Sequence, residues 1–172
     1  MDTFIEYMIK QKKKKGDYTK AALIILAATF VVMIVTLVFL VLPSYFISMW
    51  PLTVAGIYFG AYKIISSFDV EYEYILTNGE LDVDRITHRK KRKRIITIHV
   101  KSFIEFGKIG DENEKKHKKE DFTNIINASA NSSTYTDYYA VFFKNGQKMK
   151  LIFNPTGRMI DAFKPYAPRV VL

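Results

Sequence analysis

The chain contains no cysteine, which excludes a disulfide scaffold, thiolate-ligated zinc and thiol catalysis. It has only three histidines, His88, His99 and His117, and they lack zinc spacing. There is no GxSxG, no HExxH and no P-loop, since Gly107-Lys108 lacks the rest of that pattern. These absences predict a non-enzymatic protein with no cofactor and no metal. Charge is also absent from one long stretch: Ala21 to Tyr62 carries no charged side chain. Across 172 residues, 49% apolar and 25% charged would look ordinary, but the two classes are segregated. That segregation argues against both a free-standing soluble domain and a wholly disordered chain.

The uncharged stretch reads as two transmembrane helices, 21–42 and 45–66. A hydrocarbon core of ~30 Å takes about 20 helical residues, and Ala21 to Leu42 is continuously apolar with no polar stripe. A signal peptide would have a shorter apolar region and a small-residue cleavage site, which Leu42-Pro43-Ser44-Tyr45 is not. The second stretch has only Lys63, near its end, where it can snorkel. Pro51 kinks this helix or marks a later start. The short Pro43-Ser44 link implies an antiparallel helical hairpin. Tyr45, Phe46 and Trp50 then belong at the outer interface, and Tyr18 and Tyr62 at the inner one. Lysines crowd the residues before the first span, none lie in the link, and Lys63 and then Arg85 onward follow the second. The positive-inside rule therefore predicts a multi-pass cell-membrane protein with both termini cytoplasmic.

Residues 1–20 read as a basic cytoplasmic tail. Phe4, Ile5, Met8 and Ile9 share one helical face, which suggests an amphipathic helix on the inner leaflet. Lys12, Lys13, Lys14 and Lys15 follow, suited to anionic headgroups or serving only as a topology signal. In the second span Gly56 and Gly60 form a GxxxG. Such spacing lets helix backbones approach closely. It predicts packing against the first span, with a homodimer as the second reading.

Residues 68–172 suffice for one small cytoplasmic domain. Val70 to Asn78 and Gly79 to His88 flank Asn78-Gly79, a strong type I′ hairpin signal. That turn pairs Thr77 with Glu80, Leu76 with Leu81, Tyr74 with Val83 and Tyr72 with Arg85. Glu71, Glu73, Asp82 and Asp84 then share the opposite face with Ile75. Further strands are expected over 94–100, 102–109 and 124–130, with a charged loop at 111–121. Two more, 135–144 and 148–153, flank Asn145-Gly146. Asn154 is a natural N-cap and Pro155 a first helical residue for a C-terminal helix ending near Lys164. The expected fold is mainly β, with about seven antiparallel strands that close on themselves and one C-terminal helix.

MDTFIEYMIK, EYEYILTNGELDVDRI with RKKRKR behind it, and LIFNPTGRMIDAF carry a likeness over most of the chain. With them the sequence resembles small bacterial membrane proteins in which two spans precede a C-terminal bacterial PH-like domain. The resemblance implies a membrane α-helical hairpin plus a PH-like domain capped by its last helix. None of the three stretches is a catalytic signature.

The most pointed feature is Arg89, Lys90, Lys91, Arg92, Lys93 and Arg94. Six consecutive cations repel one another and need neutralising. If the first strand leaves the membrane and the second returns, this run lies near anionic lipid. The alternative is a solvated turn or internal pairing with Glu71, Glu73, Asp82 and Asp84. Nucleic acid is disfavoured by the membrane anchor. Calcium at the acidic patch is disfavoured because flat strands do not supply its 6–8 oxygens. The leading expectation is a membrane-anchored PH-like module that contacts anionic lipid, a membrane protein partner, or both. The runner-up is a scaffold or accessory subunit of a membrane complex, with the basic runs acting only as topology signals.

Overall fold

The computed structural model describes residues 3–116 and 121–171. In chain order the elements are β1 (Phe4–Lys10), α1 (Lys15–Val41), a 3-10 segment (Ser44–Met49), α2 (Trp50–Ser66), β2 (Val70–Thr77), β3 (Glu80–Thr87) and β4 (Lys91–His99). They continue with β5 (Phe103–Lys108), α3 (Glu112–Lys116), β6 (Asn124–Asn127), β7 (Tyr138–Lys144), β8 (Gln147–Phe153) and α4 (Gly157–Phe163). The chain divides into a helical unit, Lys13–Asp69, and a β unit made of residues 1–12 together with 70–172.

In the helical unit, α1 is long and apolar enough to cross a membrane. Its 27 residues span about 40 Å at 1.5 Å each. Asp17 accepts the Lys14 backbone N–H at 2.9 Å, which satisfies one donor at the helix start. The helix expected from residue 45 begins instead at Trp50 and has 17 residues. Proline lacks an N–H and clashes inside a helix but fits its first turn, so Pro51 sets the later start. At ~25 Å, α2 is shorter than the ~30 Å core it was expected to cross. Trp50 Nε1 donates to Thr36 Oγ1 at 3.0 Å, and the Thr29 and Tyr58 hydroxyls lie 3.4 Å apart, tying α2 to α1.

The β unit corrects the expected domain boundaries. Residues 4–10 are neither tail nor helix; they form an edge strand paired antiparallel with β2, from Phe4 opposite Thr77 to Lys10 opposite Glu71. Ile5, Tyr7 and Ile9 repeat every second residue and pack on the core. This period-2 pattern prevails over the helical one because pairing also satisfies the backbone groups along one side of β2. The helical hairpin is therefore inserted between the first two strands of the domain.

One sheet has the order β1-β2-β3-β4, the other β5-β7-β8-β6. Among the described residues there are eight strands, and β6 runs parallel to β8 where an all-antiparallel set was expected. The Asn78-Gly79 hairpin has the expected register and Asn145-Gly146 also forms a hairpin turn, with left-handed φ at Asn78, Gly79, Asn145 and Gly146. Gly79 is required twice over, since a Cβ there would lie 2.5 Å from the Tyr166 ring. The core contains Leu76, Leu81, Val83, Phe142, Leu151 and Phe153 from the strands, with Met159 and Phe163 from α4. Tyr74 is buried among them and donates to the Ala128 carbonyl at 2.6 Å. Burial pushes its phenol well above the ordinary range.

Asn154 does not cap the last helix; Thr156 does, accepting the Met159 N–H at 3.3 Å. Asn154 is instead buried, where its Oδ1 accepts the Ala130 N–H at 2.7 Å and its Nδ2 donates to Thr136 O and Asp137 Oδ1. A buried amide is held where its donors and acceptor are all satisfied, and the connection before β7 supplies that place. Within the predicted 111–121 loop, Glu112–Lys116 is helical, and Lys150 Nζ reaches Glu114 Oε1 at 2.6 Å. His117 lies outside the described residues.

Candidate functional site: a charged ribbon with two faces

The basic run is not confined to a turn. His88 and Arg89 turn the chain with positive φ, and β4 begins at Lys91, so most of the run is paired strand. Thr87 opposes Lys91, Ile86 opposes Arg92, Arg85 opposes Lys93 and Asp84 opposes Arg94. Because strand side chains alternate, the run is divided between two faces.

One face is acidic on β2 and β3 and receives the arginines. Arg94 Nε lies 3.0 Å from Asp84 Oδ1, and its Nη1 lies 3.0 Å from Asp82 Oδ2. Arg92 pairs with Glu73 and approaches Asp84 at 3.9 Å. From the turn, Arg89 reaches Glu71 at 3.6 Å. Glu73 is fully buried and Asp84 is 2% exposed. Neither Glu73 oxygen has a partner with hydrogen-bond geometry, so its contact with Arg92 is ionic only. Burial, and then the neighbouring Glu6 carboxyl, push the Glu73 pKa up, while Arg92 draws it down. Arg89, Arg92 and Arg94, which the sequence assigned either to headgroups or to internal pairing, each pair with carboxylates of their own domain. No set of three or more metal-ligating side chains converges among the described residues.

The opposite face differs. Arg85, Lys91 and Lys93 fall on it by register, and all three are exposed. Among the described residues no carboxylate lies within ion-pair distance of them. Arg85 and Lys93 oppose each other directly, a like-charge pair that costs stability. Tyr72 continues the row on β2. Burial raises its phenol, and the Arg85 charge and the Gln11 side chain oppose that rise. Lys90 is exposed at the turn.

The ribbon tip also has a defined place within the β unit. Val70 opposes Thr87, which opposes Lys91, and the Gln11 N–H donates to Val70 O at 2.9 Å. The tip therefore shares one end of the sheet with the two points where the chain departs for the helices and returns.

The remaining candidates are scattered. Lys12 is exposed, with its backbone N–H bonded to Ala130 O at 2.7 Å. Lys13 pairs with Asp69 at 3.0 Å, Lys14 is the N-cap of α1 and Lys15 its first residue. Gly56 and Gly60 do not mediate close packing against α1, because a Cβ at either meets nothing within 4 Å. They line an apolar groove of 410 Å³ with Ile24, Ala28 and Ile57. Trp50 and Tyr58, both large, make the hydrogen-bonded ties between the helices, so the glycines are left unfilled. Sequence reasoning missed Arg85 as a member of the basic face, although its place opposite Tyr72 was already in the hairpin register. It also missed the burial of Glu73, for which the sequence offered no signal, because β2 is flanked on its second side by β1 and that pairing was not legible.

A family model described as a bacterial PH-like domain (DUF6106) matches residues 1–172. No curated protein matches the chain, and no solved structure does.

Proposed function

Because the chain belongs to the bacterial PH-like domain family over its whole length, we propose that it is a non-enzymatic binding module. The α1–α2 hairpin spans the bilayer twice and holds the module at the inner leaflet, where its basic end contacts anionic phospholipid. The observation that carries this reading is the insertion of the hairpin between β1 and β2. Lys12 and Val70 lie only a few residues from the helices, at the sheet end that also bears Lys90, Lys91 and Lys93. Each cation near an anionic leaflet adds about 1 kcal/mol of attraction. A 17-residue second helix is compatible with crossing when the bilayer thins locally and Lys63 snorkels.

The test uses the full chain in nonionic detergent, titrated with water-soluble dihexanoyl phosphatidylglycerol and phosphatidylcholine at low and high salt. Binding selective for phosphatidylglycerol and weakened by salt is the expected result. Equal binding of both lipids overturns the reading. Because the chain has no native cysteine, topology is read from single variants in intact cells. Ser44→Cys should react with an impermeant thiol reagent, and Glu112→Cys only after permeabilisation.

A second reading, an accessory subunit of a membrane complex, is favoured by the unfilled groove along Gly56 and Gly60. A transmembrane helix of a partner would fit small residues four apart. Co-purification of a defined membrane protein, lost on Gly60→Leu, tests it.

A further inference from the structure

The basic run is not one patch: the register divides it into a satisfied half and an unsatisfied half. Arg89, Arg92 and Arg94 are matched by Glu71, Glu73, Asp82 and Asp84. On the other face, Arg85, Lys91 and Lys93 have no carboxylate within ion-pair distance among the described residues, and two of them directly oppose each other. A sheet that keeps a like-charge pair with no counter-charge forgoes stability at that place. An anion bound between the strands removes the repulsion and gains from it.

We infer that Arg85, Lys91 and Lys93 form a site for a phosphate group, with Tyr72 at its inner end and Lys90 at its rim, and that the paired arginines hold the ribbon in shape without touching the ligand. Cross-strand neighbours have Cβ atoms about 5 Å apart, and alternate residues on one strand lie about 7 Å apart. Three long cationic side chains at those spacings can converge on the oxygens of one phosphate. Arg85 supplies a planar fork for two oxygens and the lysines supply point charges. This deepens the lipid reading above and rests on it for the source of the phosphate. The same chemistry would take the phosphate of a soluble ester, so the two sources must be separated by experiment.

The full chain in detergent is titrated with dihexanoyl phosphatidylglycerol, with dihexanoyl phosphatidylcholine and with glycerol phosphate, comparing wild type, Arg85→Gln/Lys91→Gln/Lys93→Gln and Arg89→Gln. Loss of three cations should weaken phosphatidylglycerol binding roughly a hundredfold, while Arg89→Gln binds as wild type. The triple variant removes a repulsion, so it should melt no lower than wild type, which separates loss of the site from loss of the fold. Tighter binding of phosphatidylglycerol than of glycerol phosphate assigns the lipid as the source. Equal binding of the two assigns a soluble phosphate to the same residues. If the folded triple variant binds phosphatidylglycerol as tightly as wild type, the site assignment is overturned while the lipid reading stands. If wild type does not distinguish phosphatidylglycerol from phosphatidylcholine, the lipid reading itself falls.

Discussion

The backbone N–H of Gln11 donates to the carbonyl of Val70 at 2.9 Å, although both helices of the hairpin lie between them in the chain. The β unit is thus continuous in space and interrupted in sequence. A fragment beginning after the second helix lacks β1, leaves the side of β2 unpaired and removes Ile9, which is 2% exposed, from the core.

This predicts that residues 68–172 alone will be poorly folded. Joining residue 12 to residue 70 through a short Gly-Ser linker should restore the unit, because Gln11, next to the first end, is already hydrogen-bonded to Val70. The spliced chain should show a single cooperative thermal transition with dispersed amide resonances, and the fragment neither. A fragment as stable as the splice would mean that β1 is dispensable.

Most of the sheet was legible because hairpin chemistry is local. Asn78-Gly79 and Asn145-Gly146 each fix a turn, and each turn fixes the register of two strands. β1 was illegible for the opposite reason, since its partner is distant in sequence and seven residues containing Phe4, Ile5, Met8 and Ile9 satisfy a helical period almost as well. Asn154 beside Pro155 carried a true local capping signal, but burial against Ala130, Thr136 and Asp137 outweighed it. For the basic run, the residue types were legible and the division between faces was not, because it depends on where β4 begins.

The Arg92–Glu73 pair gives a pH prediction with a definite sign. The Glu73 pKa is raised in the folded state, chiefly by burial, above its ordinary value of 4.5. Between the unfolded and folded values the native state binds more protons, so stability is greatest below the unfolded value and falls as pH rises through the folded one. Glu73→Gln should flatten that decline in urea melts at successive pH values. Arg92→Gln should steepen it and cost about 1–3 kcal/mol at pH 7, less than a fully buried pair because Arg92 is half exposed. An Arg92→Gln protein as stable as wild type at pH 7 would show that Glu73 is neutral there.

Gly79→Ala tests the packing of the segment after α4. The residue has φ +83° and the Tyr166 ring against its open side. Forcing a Cβ into the left-handed region costs roughly 1–2 kcal/mol, and displacing Tyr166 adds to it. In the spliced domain, Gly79→Ala should lower the melting temperature by several degrees. The double variant Gly79→Ala/Tyr166→Ala should lose less than the sum of the single losses, since the clash is then absent.

The helical hairpin makes a prediction of the opposite sign. Gly56 and Gly60 lie inside α2 with nothing within 4 Å of an added Cβ. Glycine in a helix interior is about 1 kcal/mol less favourable than alanine in water, so Gly56→Ala and Gly60→Ala should stabilise an isolated hairpin or leave it unchanged. Trp50 is the single tryptophan and is bonded to Thr36 across the helices, so its fluorescence reports on their packing. An unchanged emission maximum, with equal or greater resistance to denaturing detergent, is expected from both variants. Loss of stability in either would mean that something closes on the glycine face in the assembled protein. Crosslinking in the membrane would then show whether it is a second copy, because only a homodimer gives a product at twice the monomer mass that the same substitution abolishes.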